Sequence, residues 1–143
     1  MSRGGSQRRQ RARRRAVQAL YQWQFTEQPA ADILAQFREA QNLSEVDADY
    51  FAALVAGAID EAETLDARLE PFLDRPLKQV DAVERAILRL GAWELLHAPD
   101  VPHRVILNES IDLAHRFGSE QGHAWINAVL DRAAREWRPD EVG

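Results

Sequence analysis

The sequence predicts an all-α protein of six to seven helices in two packed helical bundles, led by a flexible Arg-rich N-terminal arm. Three observations carry that reading. Apolar residues recur at three- and four-residue spacing along most of the chain. β-branched residues are few, and no segment alternates apolar and polar side chains for long. Arg3, Arg8, Arg9, Arg11, Arg13, Arg14 and Arg15 stand ahead of the first apolar stripe, seven of the chain's eighteen basic residues. At 143 residues the chain is long enough for one domain, 1–143, with a core. The turn at Arg75 and Pro76 divides it into an N-terminal bundle, 1–76, and a C-terminal bundle, 77–143.

The elements follow from the stripes. A first helix starts inside the arm and runs to about Gln24, with Ala16, Leu20 and Trp23 on one stripe and Val17 and Tyr21 beside it. Its N-terminal arginines oppose the helix dipole, so residues 1–8 are expected to be disordered in the free protein. Pro29 opens a second helix, with Ile33, Leu34, Phe37 and Ala40 inside and Asn42 at its end. Ser44 and Asp47 resemble a capping box for a third helix carrying Tyr50, Phe51, Leu54, Val55, Ala58 and Ile59. The stripe resumes at Leu65, Leu69, Phe72 and Leu73, which means either a break near 60–64 or one long bent helix. Asp81 and Glu84 form a capping-box pair for the strongest helix, through Val83, Ile87, Leu90, Gly91 and Leu95 to about His97. Pro99 and Pro102 bracket a connection. Leu107, Ile111, Ala114 and Phe117 line the next helix, which Gly118 ends. Ser119 caps the last one, with Ile126, Val129, Leu130 and Ala133 inside, and the tail from Pro139 frays.

Composition excludes several classes. There is no cysteine, which removes disulfides, thiolate chemistry and Cys-type zinc sites and fits a reducing, cytoplasmic setting. The residues after the arm are interrupted by Gln and lack the unbroken apolar core of a secretory signal; a mitochondrial presequence, also Arg-rich, is the weaker alternative. No apolar run approaches the roughly 20 residues that span a bilayer, so no membrane partner is expected. No acid precedes Glu27, and residues 16–143 carry a net charge near −12. A cationic arm on an acidic body points to a polyanion, because arginine's planar fork donates paired hydrogen bonds to phosphate at any physiological pH. An inert solubility tail and a membrane-surface anchor are the competing readings. An anchor needs a broad apolar face, and here that face is needed for the core.

The remaining groups offer little chemistry. His97, His103, His115 and His123 show neither i, i+4 pairing nor the acid neighbours of a helical metal site, so no metal and no cofactor are expected. Glu61 with Glu63 and Glu109 with Asp112 are acid pairs. Glu94 falls on the core face of its helix and calls for an arginine partner. No phosphate loop, nucleophile elbow or cofactor fingerprint occurs, and the chain reads as a non-enzyme. Trp125, one position off its helix's stripe, is either core or a stacking platform for an unpaired base.

These residues together resemble the NusB family of transcription antitermination factors. The resemblance starts at R-A-R-R-R-A-V-Q-A-L-Y-Q-W-Q (11–24). It continues through D-A-D-Y-F (47–51), V-E-R-A-I-L-R-L-G-A-W-E-L (83–95), V-P-H-R-V-I-L-N-E-S-I-D-L-A (101–114), F-G (117–118) and W-I-N-A-V-L-D (125–131). It implies an all-α, non-catalytic adaptor without cofactor that binds single-stranded boxA RNA of ribosomal RNA transcripts. The implied protein partner is the small-subunit ribosomal protein that acts as NusE, and the pair joins elongating RNA polymerase with other Nus factors. On the matching positions, the resemblance makes Arg9, Arg11 and Arg13 RNA contacts, with Arg8, Arg14 and Arg15 beside them and Gln10 where a basic residue is usual. Trp125 falls where an aromatic meets RNA. Tyr21 and Glu84 fall where the ribosomal protein docks, with Arg85 and Glu94 added to that face. A homodimer that hides the RNA surface also occurs in such families, and no residue here decides it. Two other classes compete. A methyltransferase module would need a second, cofactor-binding domain, for which 143 residues leave no room. A pure interaction scaffold would treat the arm as an accessory, and RNA binding at several salt concentrations separates it from the adaptor.

Overall fold

The computed structural model describes residues 3–142. Its first helix, α1 (Arg3–Thr26), buries Ala12, Ala16, Val17, Ala19 and Leu20 on one face. Of residues 1–8, expected to be disordered, the first two lie outside the described residues; the chain is helical from Arg3, and Arg8 donates to carbonyls of a later loop. α1 ends where Glu27 adopts the left-handed conformation, φ 52°, with its N–H donating to the Trp23 carbonyl. Helix α2 (Ala30–Ala40) follows with Ile33, Leu34 and Phe37 buried, and α3 (Ala48–Asp60) buries Phe51, Leu54, Val55 and Ala58. The cap of α3 is Asp47, which accepts from the Tyr50 N–H at 3.0 Å. The Ser44–Asp47 box is therefore corrected: the first of its residues lies outside the helix, and the second is the cap itself. These three helices pack on one another as one unit, residues 1–61.

Of the two alternatives at 60–64, the chain takes the break, with α3 ending at Asp60. Helix α4 (Ala62–Leu69) starts a second unit, residues 62–143. The boundary at Glu61 lies ahead of the turn at Arg75 and Pro76, because α4 packs against the helix that follows that turn. That helix, α5 (Ala82–His97), is buried on nearly every side from Ala86 to Ala92. A bidentate ion pair ties it to α4, Arg89 to both oxygens of Asp66 at 2.8 Å. At Gly91 a Cβ would come within 2.7 Å of the Leu130 side chain, so the missing side chain sets how closely α5 meets its neighbour. Helices α6 (His103–Phe117) and α7 (Gly122–Trp137) pack on α5 and on each other.

Two end signals work differently from the sequence reading. Gly118 has φ −91°, not the left-handed value of a glycine stop; a Cβ there would sit 2.9 Å from the Ala114 carbonyl oxygen, so space rather than torsion selects glycine. The tail does not fray at Pro139. It forms the short helix α8 (Pro139–Val142), whose Glu141 carboxylate accepts from the His103 N–H at the start of α6. Burial alone would raise the Glu141 pKa, but the hydrogen bonds from Arg138 and from His103 hold it below the usual carboxylate value. Among the described residues there are eight α-helices, two 3-10 turns and no strand.

Candidate nucleic-acid interface

The arm's arginines are organised by the loop between α2 and α3. Arg8 donates to the carbonyls of Ser44 and Val46, both at 2.9 Å, and Arg11 to that of Glu45 at 3.2 Å. Arg9 lies 3.7 Å from the Asp47 carboxylate and 4.3 Å over the ring of Tyr50. Arg13, one turn on, lies over the same ring at 5.5 Å. Tyr50 thus carries two guanidinium groups by cation–π attraction. Arg13 is only 4% exposed, whereas Arg9, Arg11, Arg14 and Arg15 are half-buried and Arg8 is exposed. Arg13, expected among the RNA contacts, is thus nearly covered and lies against Tyr50. The sequence held no sign of this, because Tyr50 lies far along the chain.

Further along α1, Tyr21 is 43% exposed and Phe25, one turn later, 66%. Their rings meet edge to face with centroids 5.0 Å apart. Large aromatic rings left in water are enriched at protein interfaces. The sequence reading found Tyr21 and missed Phe25, although the i, i+4 spacing from an off-stripe tyrosine was the available signal.

In the second unit Trp125 is half-buried. Its Nε1–H donates to Asp74 at 3.3 Å, and the Arg75 guanidinium lies over the indole at 4.6 Å. Arg75 Nε also donates to Asp74, at 3.1 Å. That hydrogen bond, helped by the arginine's charge, holds the Asp74 carboxyl below its usual value. The choice between core and platform resolves into neither alone: one face of the indole is covered by a cation. Arg75, read in the sequence only as a turn marker, is the functional candidate that reading missed.

Glu84 does not stand on the surface. It is 8% exposed and accepts from Ser119 Oγ at 2.7 Å, which leaves Asp81 alone as the α5 cap and removes Ser119 from capping α7. Gly122 makes room for it, since a Cβ there would lie 1.9 Å from Glu84 Oε1. Glu84 therefore ties the start of α5 to the connection leading into α7 and Trp125. Gly122→Ala should cost about 1–3 kcal/mol by forcing the carboxylate off Ser119. Adding Gly122→Ala to Glu84→Ala should cost almost nothing further, and thermal melts of the two single variants and the double variant measure that coupling. Arg85 is half-buried, its Nε without a hydrogen-bond partner. Glu94, at 2% exposure, is interior and not part of a docking face.

The four histidines do not gather at one place. His115 stacks on His123 with centroids 4.1 Å apart, His103 faces Glu141 at 3.2 Å, and His97 lies beside Trp93. No group of three potential metal ligands occurs among the described residues. No described helix is long and apolar enough to cross a membrane.

Comparison with known proteins fits this picture. Residues 10–135 match the model of the NusB family. The chain belongs to the NusB family. The transcription antitermination protein NusB of Xanthomonas campestris pv. campestris is 53% identical over 135 residues, covering 94% of this chain and 85% of the relative. The NusB of Xanthomonas axonopodis pv. citri matches to the same extent. Among solved structures, NusB of T. maritima superposes with a TM-score of 0.81 at 28% identity, covering 92% of this chain and 94% of that one. A structure of the antitermination factors NusB and NusE in complex with dsRNA superposes at 0.80 and 24% identity, covering 95% and 99%, and bears on the NusB fold alone.

Proposed function

We propose that this chain is a non-catalytic transcription antitermination factor of the cytoplasm. It binds boxA-type RNA of ribosomal RNA transcripts with the ribosomal protein that acts as NusE, and acts on elongating RNA polymerase with other Nus factors. The observation that carries this reading is the row of guanidinium groups on α1, pre-arranged by the carbonyls of residues 44–46, by Asp47 and by Tyr50. A cation row ordered before the ligand arrives loses less side-chain entropy on binding than a floppy tail. The naming of the Xanthomonas relatives as transcription antitermination proteins supports the reading, as does the RNA and NusE content of the structural neighbour.

Arg8, Arg9, Arg11, Arg14 and Arg15 grip the sugar-phosphate strand, with Arg13 bracing them through Tyr50. Trp125 contributes by stacking. Tyr21 and Phe25 of the first unit contact the ribosomal protein, and so does Arg85 of the second, where Glu84 fixes the start of α5. The test compares labelled boxA-type RNA with a scrambled sequence, with and without the ribosomal protein. Preference for boxA in the presence of the protein is the expected result; no preference at low salt rejects the function. In the same assay Trp125→Ala should weaken binding by about 1–3 kcal/mol at fixed salt.

A further inference from the structure

Trp125 is not a bare stacking surface, because Arg75 lies on it. Three side chains form the assembly: the Asp74 carboxylate accepts from both the indole N–H and Arg75 Nε, and so holds the Arg75 Cζ over the indole, 4.6 Å from the ring centroid. The Arg75 side chain remains 45% exposed although it lies over the indole, so part of it is open to a ligand. Asp74 occupies Nε, which leaves the terminal N–H groups available to a ligand. Guanidinium planes stack unpaired bases as aromatic rings do, and they add a charge that aromatic rings lack.

We propose that Arg75 is the RNA-contacting member of this assembly: an unpaired base stacks on its outer face, with Trp125 as the support beneath, and its terminal N–H groups contact the adjoining phosphate. Asp74 is a positioning residue, acting through Arg75. The inference rests on the RNA-binding reading above and changes which residue of the second unit meets the strand.

Substitutions at Arg75 separate stacking from charge. With boxA-type RNA and the ribosomal protein present, Arg75→Ala should weaken binding about tenfold and lower the log–log salt slope by about 0.7, the loss of one phosphate contact on a single strand. Arg75→Lys should keep the slope while losing several-fold in affinity, because an ammonium has charge but no plane. Arg75→Ala combined with Trp125→Ala should be no weaker than the weaker single variant, since support and platform act as one. Binding by Arg75→Ala as tight as, or tighter than, the parent overturns the proposal and makes the guanidinium a cover that RNA displaces. Alanine variants of Arg14 and Arg15 run alongside as controls. If they weaken binding and Arg75→Ala does not, only this inference fails; if they too bind like the parent, the RNA-binding reading itself fails. Thermal melts confirm that each variant is folded.

Discussion

Arg138→Ala is expected to destabilise the protein by about 3 kcal/mol, roughly 10 °C in thermal midpoint, although the residue stands five from the C-terminus. Its side chain is 9% exposed. It donates to the carbonyls of Glu94 at 3.0 Å, Leu95 at 2.9 Å, Ala98 at 2.8 Å and Val101 at 2.6 Å. Leu95 lies in the last turn of α5 and has proline, without an N–H, four residues on, while Val101 ends the connection to α6; the Glu94 and Ala98 carbonyls also accept from the Ala98 and Val101 N–H groups. One guanidinium thus closes the end of the central helix of its unit. Removing it leaves the Leu95 and Val101 carbonyls short of a donor and the Glu141 carboxylate without its arginine. Hydrogen bonds from a charged donor contribute more than neutral ones, so the loss exceeds that of a single bond. Arg138→Lys should recover only part, because one ammonium cannot reach carbonyls arranged around a planar fork. Urea unfolding with an unchanged m-value measures the loss; a change below about 1 kcal/mol would show that the α5 end is held by packing alone. The same latch is acid-sensitive. Glu141 has a folded pKa below its usual 4.5, so its contribution is complete above that value and is lost as pH falls through the folded one.

The contrast between Arg138 and the stripe residues shows what the sequence makes legible. Ile33, Leu34, Phe37, Phe51, Leu54, Ile87, Ile126 and Leu130 all lie in the core, because burial of one helix face is periodic and periodicity is local. Asp81 was legible as a cap for the same reason: its partners are two and three residues away. What the sequence hid depends on partners far along the chain. Arg138, one residue ahead of the tail expected to fray, gave no signal because its carbonyl partners are some 37 to 44 residues earlier. Arg13 looked like one more cation of the arm until Tyr50 appeared beneath it. Glu84 fitted a capping box, a local pattern, but its carboxylate is taken by Ser119, 35 residues on. The same holds at the candidate site. The charge row was visible as composition, whereas the Asp74, Arg75 and Trp125 assembly joins residues 51 apart and gave no periodic signal.

Joint replacement of Arg11, Arg14 and Arg15 by alanine should have the largest effect on RNA binding, a loss of about 100-fold or more at low salt. All three lie off the buried stripe formed by Ala12, Ala16 and Leu20, and all three are half-buried rather than interior. Each phosphate contact removed lowers the salt slope by about 0.7 on a single strand, so the three together lower it by about 2. A slope difference of that size means that a tenfold rise in salt erases about two decades of the affinity gap, and parent and variant should converge near 0.5 M. Stability should change little. Alanine is the best helix former, which offsets the loss of the exposed hydrogen bond from Arg11 to the Glu45 carbonyl, so the melting temperature should stay near that of the parent. Arg13→Ala provides the opposite pattern. Its guanidinium is buried against Tyr50, so its removal should lower the melting temperature while leaving the salt slope near that of the parent. A residue that grips RNA changes the slope, and a residue that braces the row changes the melt. If the triple variant keeps the parental slope, the arm does not neutralise phosphate, and the row of cations on α1 has another use.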